Sequence, residues 1–276
     1  MNMTMEATAQ PDYATIKSKQ NTAWASGDYA RIGTTLQIVG ETLAEAMNVR
    51  PGSSVLDVAA GNGNATLAFG RRFCHVTSTD YVDALLARGR SRAEAEGQDV
   101  TFKLADAEHL PFDDGTFDAV VSTFGVMFTP NQTRAAREML RACRSGGRIG
   151  MANWTPEGFI GQVFKTLGRH VPPPAGVKSP ALWGTEAFIK EQFGPAARHI
   201  SNEKRSFTFR YSSPEHFIDV FRTYYGPVHK GFLALDPAGQ QTLAKDLMAT
   251  IASFNKATDG SMQVPSEYLE IVIDKA

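Results

Sequence analysis

The 276-residue chain has the size of one large domain, or of a core domain with an added cap. It carries 28 Lys and Arg against 29 Asp and Glu, and this net charge of −1 argues against a nucleic-acid binder and a polybasic membrane anchor. With 42% hydrophobic residues and no apolar run near the ~20 residues that span a bilayer, the composition predicts a globular, cytoplasmic protein. Two cysteines, Cys74 and Cys143, are too few for a disulfide framework or a convincing metal site, so no metal is expected.

Strands and helices alternate through residues 31–155. Apolar residues recur at helical spacing from Ile32 to Met47, and Pro51-Gly52 ends that predicted helix. The short apolar runs that follow predict buried strands, each followed by a helical stretch. Strands are predicted at residues 53–58, 75–80, 100–104, 117–122 and 148–153, with helices at 65–72, 81–96 and 134–143. This order predicts an α/β fold with a doubly wound, mostly parallel sheet covered by helices on both faces.

The pattern changes after Trp154, where prolines interrupt the chain and aromatic residues become frequent. This change predicts a substrate cap, helical in two or three pieces between Pro214 and Ser253. The predicted divisions are an N-terminal segment (1–30), the core (31–155), the cap (156–265) with a late sheet strand near 206–211, and a final sheet strand (266–276). The cap's aromatic side chains either wall an apolar acceptor site or form the cap's own core. They are Phe159, Phe164, Trp183, Phe188 and Phe193.

A glycine-rich turn follows the first predicted strand, in the run Asp57-Val58-Ala59-Ala60-Gly61-Asn62-Gly63-Asn64. Gly61 and Gly63 let the backbone turn sharply and approach a ligand, and the next helix begins with free amides that suit an anion. Alone the signal is weak, because the same turn also occurs with no ligand. Thr66 stands where a dinucleotide fingerprint needs glycine or alanine, which disfavours NAD.

Two acidic residues belong to the same region. Asp57 could organise the amides of the turn, or approach the ammonium group of a bound amino acid through water. Asp80 ends the second predicted strand, where its carboxylate either accepts hydrogen bonds from both hydroxyls of a ribose or caps the next helix.

Further motifs follow in order and make the pattern specific. They are Asp106–Phe112, Asp113–Asp118, Ser122–Phe128 and Leu140–Arg148. Over residues 20–155 the chain resembles the class I S-adenosylmethionine-dependent methyltransferases, and in particular the branch of ubiquinone/menaquinone biosynthesis C-methyltransferases and small-molecule methyltransferases. The resemblance implies S-adenosylmethionine as cofactor and a seven-stranded, Rossmann-like sheet with a single antiparallel strand near its edge.

The resemblance also implies a role for individual positions. Gly61 and Gly63 would line the methionine and ribose of the cofactor, and Asp80 would hold the ribose hydroxyls. Tyr81 would lie against the adenine ring.

The same resemblance extends to the next two strand ends. Asp106 would accept a hydrogen bond from the adenine amino group, and Ala107 would donate its backbone amide to a ring nitrogen. Ser122, Thr123 and Phe124 would lie near the sulfonium. This placement agrees with the general rule that open α/β sheets bind ligands beyond the carboxyl ends of their strands.

Two aromatic residues of the N-terminal segment have two interpretations. In enzymes of similar build such a segment closes over the cofactor, so Trp24 and Tyr29 could form a lid. The alternative is a turn between helices whose two aromatic rings pack on the sheet. The arginines of the helix after the second strand are interpreted as a solvated face without a nucleic-acid role. They are Arg88, Arg90 and Arg92.

Methyl transfer from a sulfonium is an in-line displacement, so alignment and exclusion of water should supply most of the acceleration. A base is needed only where the acceptor loses a proton. His229, Tyr224 and Tyr225 lie in an aromatic, titratable stretch and are the candidate catalytic residues. Their alternative roles are those of ordinary surface and helix-packing residues.

The predicted function is methyl transfer to a small, partly aromatic acceptor, by O- or C-methylation of a phenol, quinol or heterocycle. The reason is that the cap is rich in aromatic residues and lacks an acidic cluster for a cationic amine. An N- or S-methyltransferase of a small metabolite and a non-methylating S-adenosylmethionine-binding protein are the alternatives. The expected partner is a small-molecule substrate, without nucleic acid or a membrane span, and a homodimer is left open.

Overall fold

The computed structural model describes residues 11–276, so residues 1–10 of the predicted N-terminal segment lie outside the described residues. Within the described part, seven strands form one sheet. They are β1 (Ser54–Val58), β2 (His75–Asp80), β3 (Val100–Leu104), β4 (Phe117–Thr123), β5 (Cys143–Trp154), β6 (Ala197–Tyr211) and β7 (Met262–Lys275). The order across the sheet is β3-β2-β1-β4-β5-β7-β6.

Helices surround this sheet and fill the connections between its strands. They are α1 (Tyr13–Ser26), α2 (Ala30–Gly33), α3 (Gln37–Met47), α4 (Asn64–Gly70), α5 (Asp83–Ala95), α6 (Gln132–Ala142), α7 (Phe159–His170), α8 (Glu186–Phe193), α9 (Pro214–Tyr224), α10 (Gly226–Leu233) and α11 (Pro237–Phe254). None of these helices, all within residues 11–276, is both long and apolar enough to cross a bilayer.

The strand pairing confirms the fold that the sequence predicts. β1 pairs in parallel with β2 and with β4, β2 with β3, and β4 with β5. β7 runs antiparallel to both of its neighbours, β5 and β6. The sheet is therefore doubly wound with one antiparallel strand next to its edge, and the carboxyl ends of β1, β2 and β4 meet at one edge of the sheet.

Alternating side chains of β1 separate two apolar layers. Val55 packs with α3 and α4 in one cluster, whereas Leu56 and Val58 belong to the larger cluster that also contains residues of α6. Asp57, between them, points to the α4 side because successive strand residues face opposite sides of a sheet. This alternation fixes the position of the turn that follows β1.

The last two strands are longer than the sequence predicts. β6 covers Ala197–Tyr211 instead of 206–211, and β7 begins at Met262. The first part of β6 is an edge strand rich in charged and exposed residues, so no apolar alternation marks it in the sequence. Its pairing with β7, from Ala197 opposite Lys275 to Tyr211 opposite Met262, specifies it as a strand.

Helix α1 is absent from the predicted elements, although Tyr13–Ser26 is helical. Ile16 is its one buried residue, so the helix has no apolar stripe that could reveal it. The side chain of Asp12 caps it by accepting from the amide of Thr15 at 3.1 Å. The helical region of the cap consists of three pieces, α9 to α11, in agreement with the sequence prediction.

Candidate functional site

A cavity lies over the carboxyl ends of β1 and β2 and the loops after β3 and β4, and α1 closes it from above. Parallel α/β sheets bind their ligands at this edge. Its lining residues come from α1 and its following turn, the glycine turn, the end of β2, and the loops after β3 and β4. They are Lys17, Gln20, Trp24, Tyr29, Ala59, Ala60, Gly61, Asp80, Tyr81, Leu85, Ala105, Asp106, Ala107, Glu108, Phe124, Gly125, Phe128, Thr129 and Pro130.

The glycine turn forms the floor of this cavity. Gly61 and Gly63 have φ angles of +58° and +84°, a left-handed conformation that glycine adopts without strain. A Cβ atom at Gly61 would lie 3.5 Å from the ring of Tyr29. The two glycines therefore leave the backbone of this turn free of side chains, and the ring of Tyr29 covers its outer side.

Asp80 connects the turn to the end of β2. Its Oδ2 accepts from the amide of Gly61 at 2.9 Å, and its Oδ1 accepts from the amide of Val82 at 2.9 Å. The residue is only 4% exposed, and burial raises the pKa of its carboxyl to about 6 in spite of these amide donors. Each oxygen keeps a second lone pair, so the carboxylate can also accept from a ligand in the cavity.

Asp57 lies behind the turn and holds the next helix. Its Oδ2 accepts from the amide of Thr66 at 2.8 Å and from the Thr66 hydroxyl at 2.7 Å. Its Oδ1 is buried without a hydrogen-bond partner among the described residues, and burial raises the pKa of this carboxyl to about 7. Of its two predicted roles, the structure displays the first, because the carboxylate organises the start of α4.

Helix α1 is tied to the rim of the cavity by three polar side chains. Lys17 Nζ lies 2.6 Å from Asp106 Oδ2 and 3.0 Å from Glu108 Oε2. Gln20 donates to the backbone oxygen of Phe128, and Asn21 donates to that of Tyr81. The helix therefore contacts the loops after β2, β3 and β4, and the space left inside the cavity is about 70 Å³.

An aromatic group closes the end of the cavity beside α1. The ring of Trp24 makes edge contacts with Tyr29 at 5.6 Å, with Phe128 at 5.1 Å and with Tyr225 at 5.6 Å between centroids. Burial, and then the nearby Asp80 carboxylate, raise the pKa of Tyr29. Trp24 and Tyr29 both line the cavity and pack against the buried core, so each interpretation of them remains a prediction.

Six of the ten predicted cofactor-binding residues line the cavity, whereas Asp57, Gly63, Ser122 and Thr123 do not. Ser122 is fully buried, and its hydroxyl donates to the backbone oxygen of Val58 at 2.7 Å and accepts from the amide of Val126 at 3.0 Å. The Ser122 side chain therefore connects β1 to the loop after β4, and its hydroxyl is not available to a ligand. The six that line the cavity are Gly61, Asp80, Tyr81, Asp106, Ala107 and Phe124.

The three predicted catalytic residues do not line this cavity. Tyr225 is buried behind Trp24 and Tyr29, and burial raises its pKa. Tyr224 lies on the outer side, where its ring contacts the guanidinium of Arg31. His229 Nδ1 is 2.7 Å from the backbone oxygen of Arg222. Because a carbonyl oxygen can only accept, this contact fixes the histidine tautomer and supports a structural role.

Arg92 is a functional position that the sequence interpretation missed. Its guanidinium donates to the backbone oxygen of Asn62 at 2.7 Å and to Asn64 Oδ1 at 2.9 Å, so it supports the glycine turn from below. The interpretation as a solvated face is therefore wrong for Arg92. No local signal marked it, since the three arginines alternate at equal spacing. Arg88 does lie at the surface, where it pairs with Asp28.

A second, larger cavity adjoins the first and is called the acceptor cleft here. It measures about 1280 Å³ and lies between α1, α7, α10 and the loop 171–181. Trp24, Phe128 and Gln20 belong to the walls of both cavities. Of the cap's five aromatic residues named above, Phe164 lines the cleft, whereas the other four are buried in the cap.

The sheet order and the cavity over the ends of β1 and β2 define a class I methyltransferase fold, and comparisons with known proteins agree. The methyltransferase domain family matches residues 56–151. The chain is 38% identical over 243 residues to the uncharacterized protein Rv1403c of Mycobacterium tuberculosis (strain ATCC 25618 / H37Rv), covering 87% of this chain and 89% of that protein.

Two further similarities come from an enzyme and a solved structure. The chain is 34% identical over 139 residues to the ubiquinone/menaquinone biosynthesis C-methyltransferase UbiE of Idiomarina loihiensis, covering 48% of this chain and 55% of that enzyme. The structure of BH2331 from Bacillus halodurans C-125 has a TM-score of 0.61 at 20% identity, covering 86% of this chain and 99% of that one. The chain belongs to the class I S-adenosylmethionine-dependent methyltransferases. Its cofactor is S-adenosylmethionine.

The polar groups of the first cavity fit this cofactor. Asp80 offers free lone pairs where a ribose would lie, and Asp106 offers a carboxylate beside the Tyr81 ring. Because Gly61 has no side chain, its backbone leaves space in the cavity that a larger residue would fill. The free volume is small because α1 closes over these groups.

Proposed function

We propose that this methyltransferase transfers the methyl group to a small, partly aromatic molecule held in the acceptor cleft. O- or C-methylation of a phenol, quinol or heterocycle is the proposed reaction. The observation that supports it is the contact between the two cavities, which share Trp24 and Phe128 as a common wall. An in-line displacement needs the acceptor atom next to the methyl carbon, so in the proposed reaction the shared side chains Trp24 and Phe128 move aside and join the cleft to the cofactor cavity.

The proposed division of labour follows the chain. Residues 31–155 bind the cofactor, residues 156–265 hold the acceptor, and α1 serves as the lid of the N-terminal segment. The cleft wall supports this division, because α7 and α10 belong to the cap and α1 faces both cavities. Phe164 on α7 makes an edge contact with Phe128 at 5.6 Å between ring centroids, so a cap residue and a core residue meet at the boundary.

Bound S-adenosylmethionine supplies a methyl group on a positively charged sulfur. In the proposed site Asp80 would accept from the ribose hydroxyls, Asp106 would accept from the adenine amino group, and Tyr81 would pack on the adenine. Phe124, stacked on Trp154 at 4.0 Å, is a rigid apolar wall at the end of β4. Together with Trp24 and Phe128 such walls exclude water, which favours the displacement over hydrolysis.

The protein needs little acid–base chemistry for this reaction. None of the six histidines, all within the described residues, lines either cavity. The raised pKa of Tyr225 keeps its hydroxyl protonated at neutral pH, so this residue can donate a hydrogen bond but is a poor base. Alignment and water exclusion are therefore the proposed sources of the acceleration.

A panel of acceptors tests the proposal. Purified protein is incubated with S-adenosylmethionine and, in separate reactions, phenols, quinols, heterocycles, amines and thiols, and S-adenosylhomocysteine is quantified by mass spectrometry. Formation only with phenols, quinols or heterocycles supports the proposal, whereas transfer to amines or thiols alone contradicts it. Product formation without any acceptor would instead indicate hydrolysis.

Matched variants connect the activity to the cleft. Phe164→Ala, in the cleft wall, should raise the KM for the acceptor and leave the affinity for S-adenosylmethionine unchanged. Phe73→Ala is the control, since Phe73 is 80% exposed and distant from both linings. Equal KM values for the two variants would show that the acceptor does not bind in this cleft.

A further inference from the structure

The acceptor cleft has an unusual charge for a chain that is nearly neutral. Its lining includes four lysines but only one carboxylate, Glu157, while the whole protein has a net charge of −1. The lysines are Lys19, Lys165, Lys178 and Lys230. They belong to α1, α7, the loop before residue 181 and α10, so four separate segments bring positive charge to one cleft. An ordinary solvated helix face would place its charges on a single element.

These ammonium groups are not neutralised by neighbouring carboxylates. Within residues 11–276, none of the four lysines forms an ion pair at 4.0 Å or less, although many other basic residues do. Glu157, the one carboxylate of the lining, forms no ion pair with any of these four lysines among the described residues. The positive potential of the cleft is therefore available to a ligand.

The interior of the cleft is apolar between these charges. Phe164 and Leu167 of α7 line it together with Trp24 of α1 and Phe128, and the Phe164 ring makes an edge contact with that of Phe128. Gly231 of α10 lies directly against Leu167, so a Cβ atom there would lie 2.3 Å from Leu167 Cδ1, and the two helices seal the inner end. The cleft thus combines apolar and aromatic side chains with four cationic groups.

We infer that the acceptor is an apolar, ring-containing molecule that carries an anionic group, such as a carboxylate, which the lysines recognise. This inference rests on the function proposed above and specifies its substrate class. The apolar part enters between α1 and α7 toward Trp24 and Phe128, and the anionic group stays at the lysines. Surface ammonium groups contribute to such recognition mainly through long-range attraction, which salt weakens.

Two fluorescent dyes of matched shape test this charge recognition. 8-Anilino-1-naphthalenesulfonate and N-phenyl-1-naphthylamine share the same rings, but only the first carries an anionic group. Each is titrated into the full-length protein saturated with S-adenosylhomocysteine, so that the cofactor cavity is filled. The sulfonate should bind more tightly than the neutral dye, and its affinity should fall as salt is raised from 50 to 500 mM.

Double lysine variants test whether the lysines of the cleft cause the tighter binding of the sulfonate dye. Lys165→Gln with Lys230→Gln should weaken the sulfonate roughly 5- to 30-fold and change the neutral dye less than twofold. The control is Lys190→Gln with Lys245→Gln, two exposed lysines on α8 and α11 that lie outside the cleft lining. Equal loss in both pairs, or equal binding of both dyes, would overturn the inference.

An activity comparison keeps this inference separate from the proposed reaction. 3,4-Dihydroxybenzoate and its methyl ester present the same phenol with and without a negative charge. Preference for the acid, lost in the Lys165→Gln, Lys230→Gln variant, supports the inference. Equal methylation of both compounds would leave the proposed reaction standing and refute the anionic acceptor. Methylation of neither, with the dye difference intact, would refute the phenol and retain the charge recognition.

Discussion

The Asp80 side chain both holds the glycine turn in place and lines the cofactor cavity. Its two oxygens accept from the amides of Gly61 and Val82, which fixes the turn, and its carboxylate still faces the cavity. In the proposed site a neutral replacement would remove the acceptor for the ribose hydroxyls and also loosen the turn. We therefore expect this carboxylate to affect cofactor affinity in two ways.

We expect Asp80→Ala to weaken binding of S-adenosylmethionine by about 1–3 kcal/mol, because a charged hydrogen-bond acceptor is lost. Calorimetric titration of the purified variant measures this directly. Asp83→Ala is the matched control, because Asp83 is an exposed carboxylate three residues further on. An affinity of Asp80→Ala equal to that of the control would mean that Asp80 only supports the fold.

The two buried carboxyls make binding and stability depend on pH with opposite signs. Burial raises the pKa of Asp57 to about 7 and that of Asp80 to about 6. Of the two, only Asp80 lines the cofactor cavity, and the hydroxyl donors of a bound ribose would favour its ionised form, so binding should release a proton and affinity should rise from about pH 5 to about pH 7. The folded carboxyls hold protons that the unfolded chain releases, so stability without cofactor should fall as pH rises from about 4 to about 7.

Calorimetry in two buffers of different ionisation enthalpy measures the released protons near pH 6.5, and thermal scans measure stability. Asp80→Asn should reduce the proton release, whereas Asp57→Asn, whose carboxyl lies behind the turn, should leave it unchanged. Binding without proton release, together with a melting temperature that rises from pH 4 to pH 7, would contradict this account.

The sequence could identify those residues whose position in the site follows from their own segment of the chain. Gly61 and Asp80 were predictable because a turn after a strand and the end of the next strand are adjacent in any parallel sheet. Lys17 and Arg92 act across the fold, on Asp106 and on the glycine turn, so no spacing within their own segments marked them. Ser122 was assigned to the cofactor by position, but its hydroxyl is used inside the sheet.

At the scale of elements, α1 is the part of the molecule best placed to move. It buries only Ile16 and is held by polar contacts that include Lys17 with Asp106 and Glu108. Few buried apolar contacts mean a low free energy of local opening. Since this helix closes the cofactor cavity, its opening should set how fast the cofactor enters and leaves.

We expect Lys17→Met to speed dissociation of S-adenosylmethionine several-fold, because the two ion pairs that fasten α1 are lost while the fold is retained. Stopped-flow displacement by excess S-adenosylhomocysteine measures the rate. Lys19→Met is the charge-matched control on the same helix, without a carboxylate partner among the described residues. If both variants dissociate at the rate of the unaltered protein, α1 does not limit cofactor release.

Strands and helices could be predicted from the sequence where the burial of their apolar residues alone determines them. β1 to β4 are short strands whose apolar residues and flanking turns can be recognised in the sequence, and their observed bounds differ from the predicted ones by at most one residue. α1 and the first half of β6 owe their structure to partners far along the chain, the rim loops and β7. Polar sequences of this kind have no periodicity that separates a helix or strand from a loop.

Across the whole molecule, core and cap share one apolar interior. The larger buried cluster runs from Ile32 before the sheet to Ile273 in the last strand, and it includes Phe217 and Phe221 of the cap. β7 also joins β5 of the core to β6 along the full sheet. The predicted division at residue 155 therefore does not separate two hydrophobic cores.

A shared core predicts that the protein unfolds as one cooperative unit. Phe217 is 1% exposed, stacks on Phe221 at 3.9 Å and lies far along the chain from the cofactor residues. Phe217→Ala should destabilise the protein by about 3–5 kcal/mol and lower Tm on the order of 10 °C, because it leaves a cavity in the cap. Phe73→Ala, at an 80% exposed site, should change stability by less than ~0.5 kcal/mol.

Differential scanning calorimetry with and without S-adenosylmethionine distinguishes one unit from two. If core and cap are one unit, Phe217→Ala shows a single transition at lower temperature, and the cofactor raises that entire transition by mass action. Two transitions, of which the cofactor shifts only one and Phe217→Ala only the other, would show that the cap folds independently. In the cooperative case a change in the cap alters cofactor binding only through the fraction of folded protein, so the affinity measured well below Tm should stay constant.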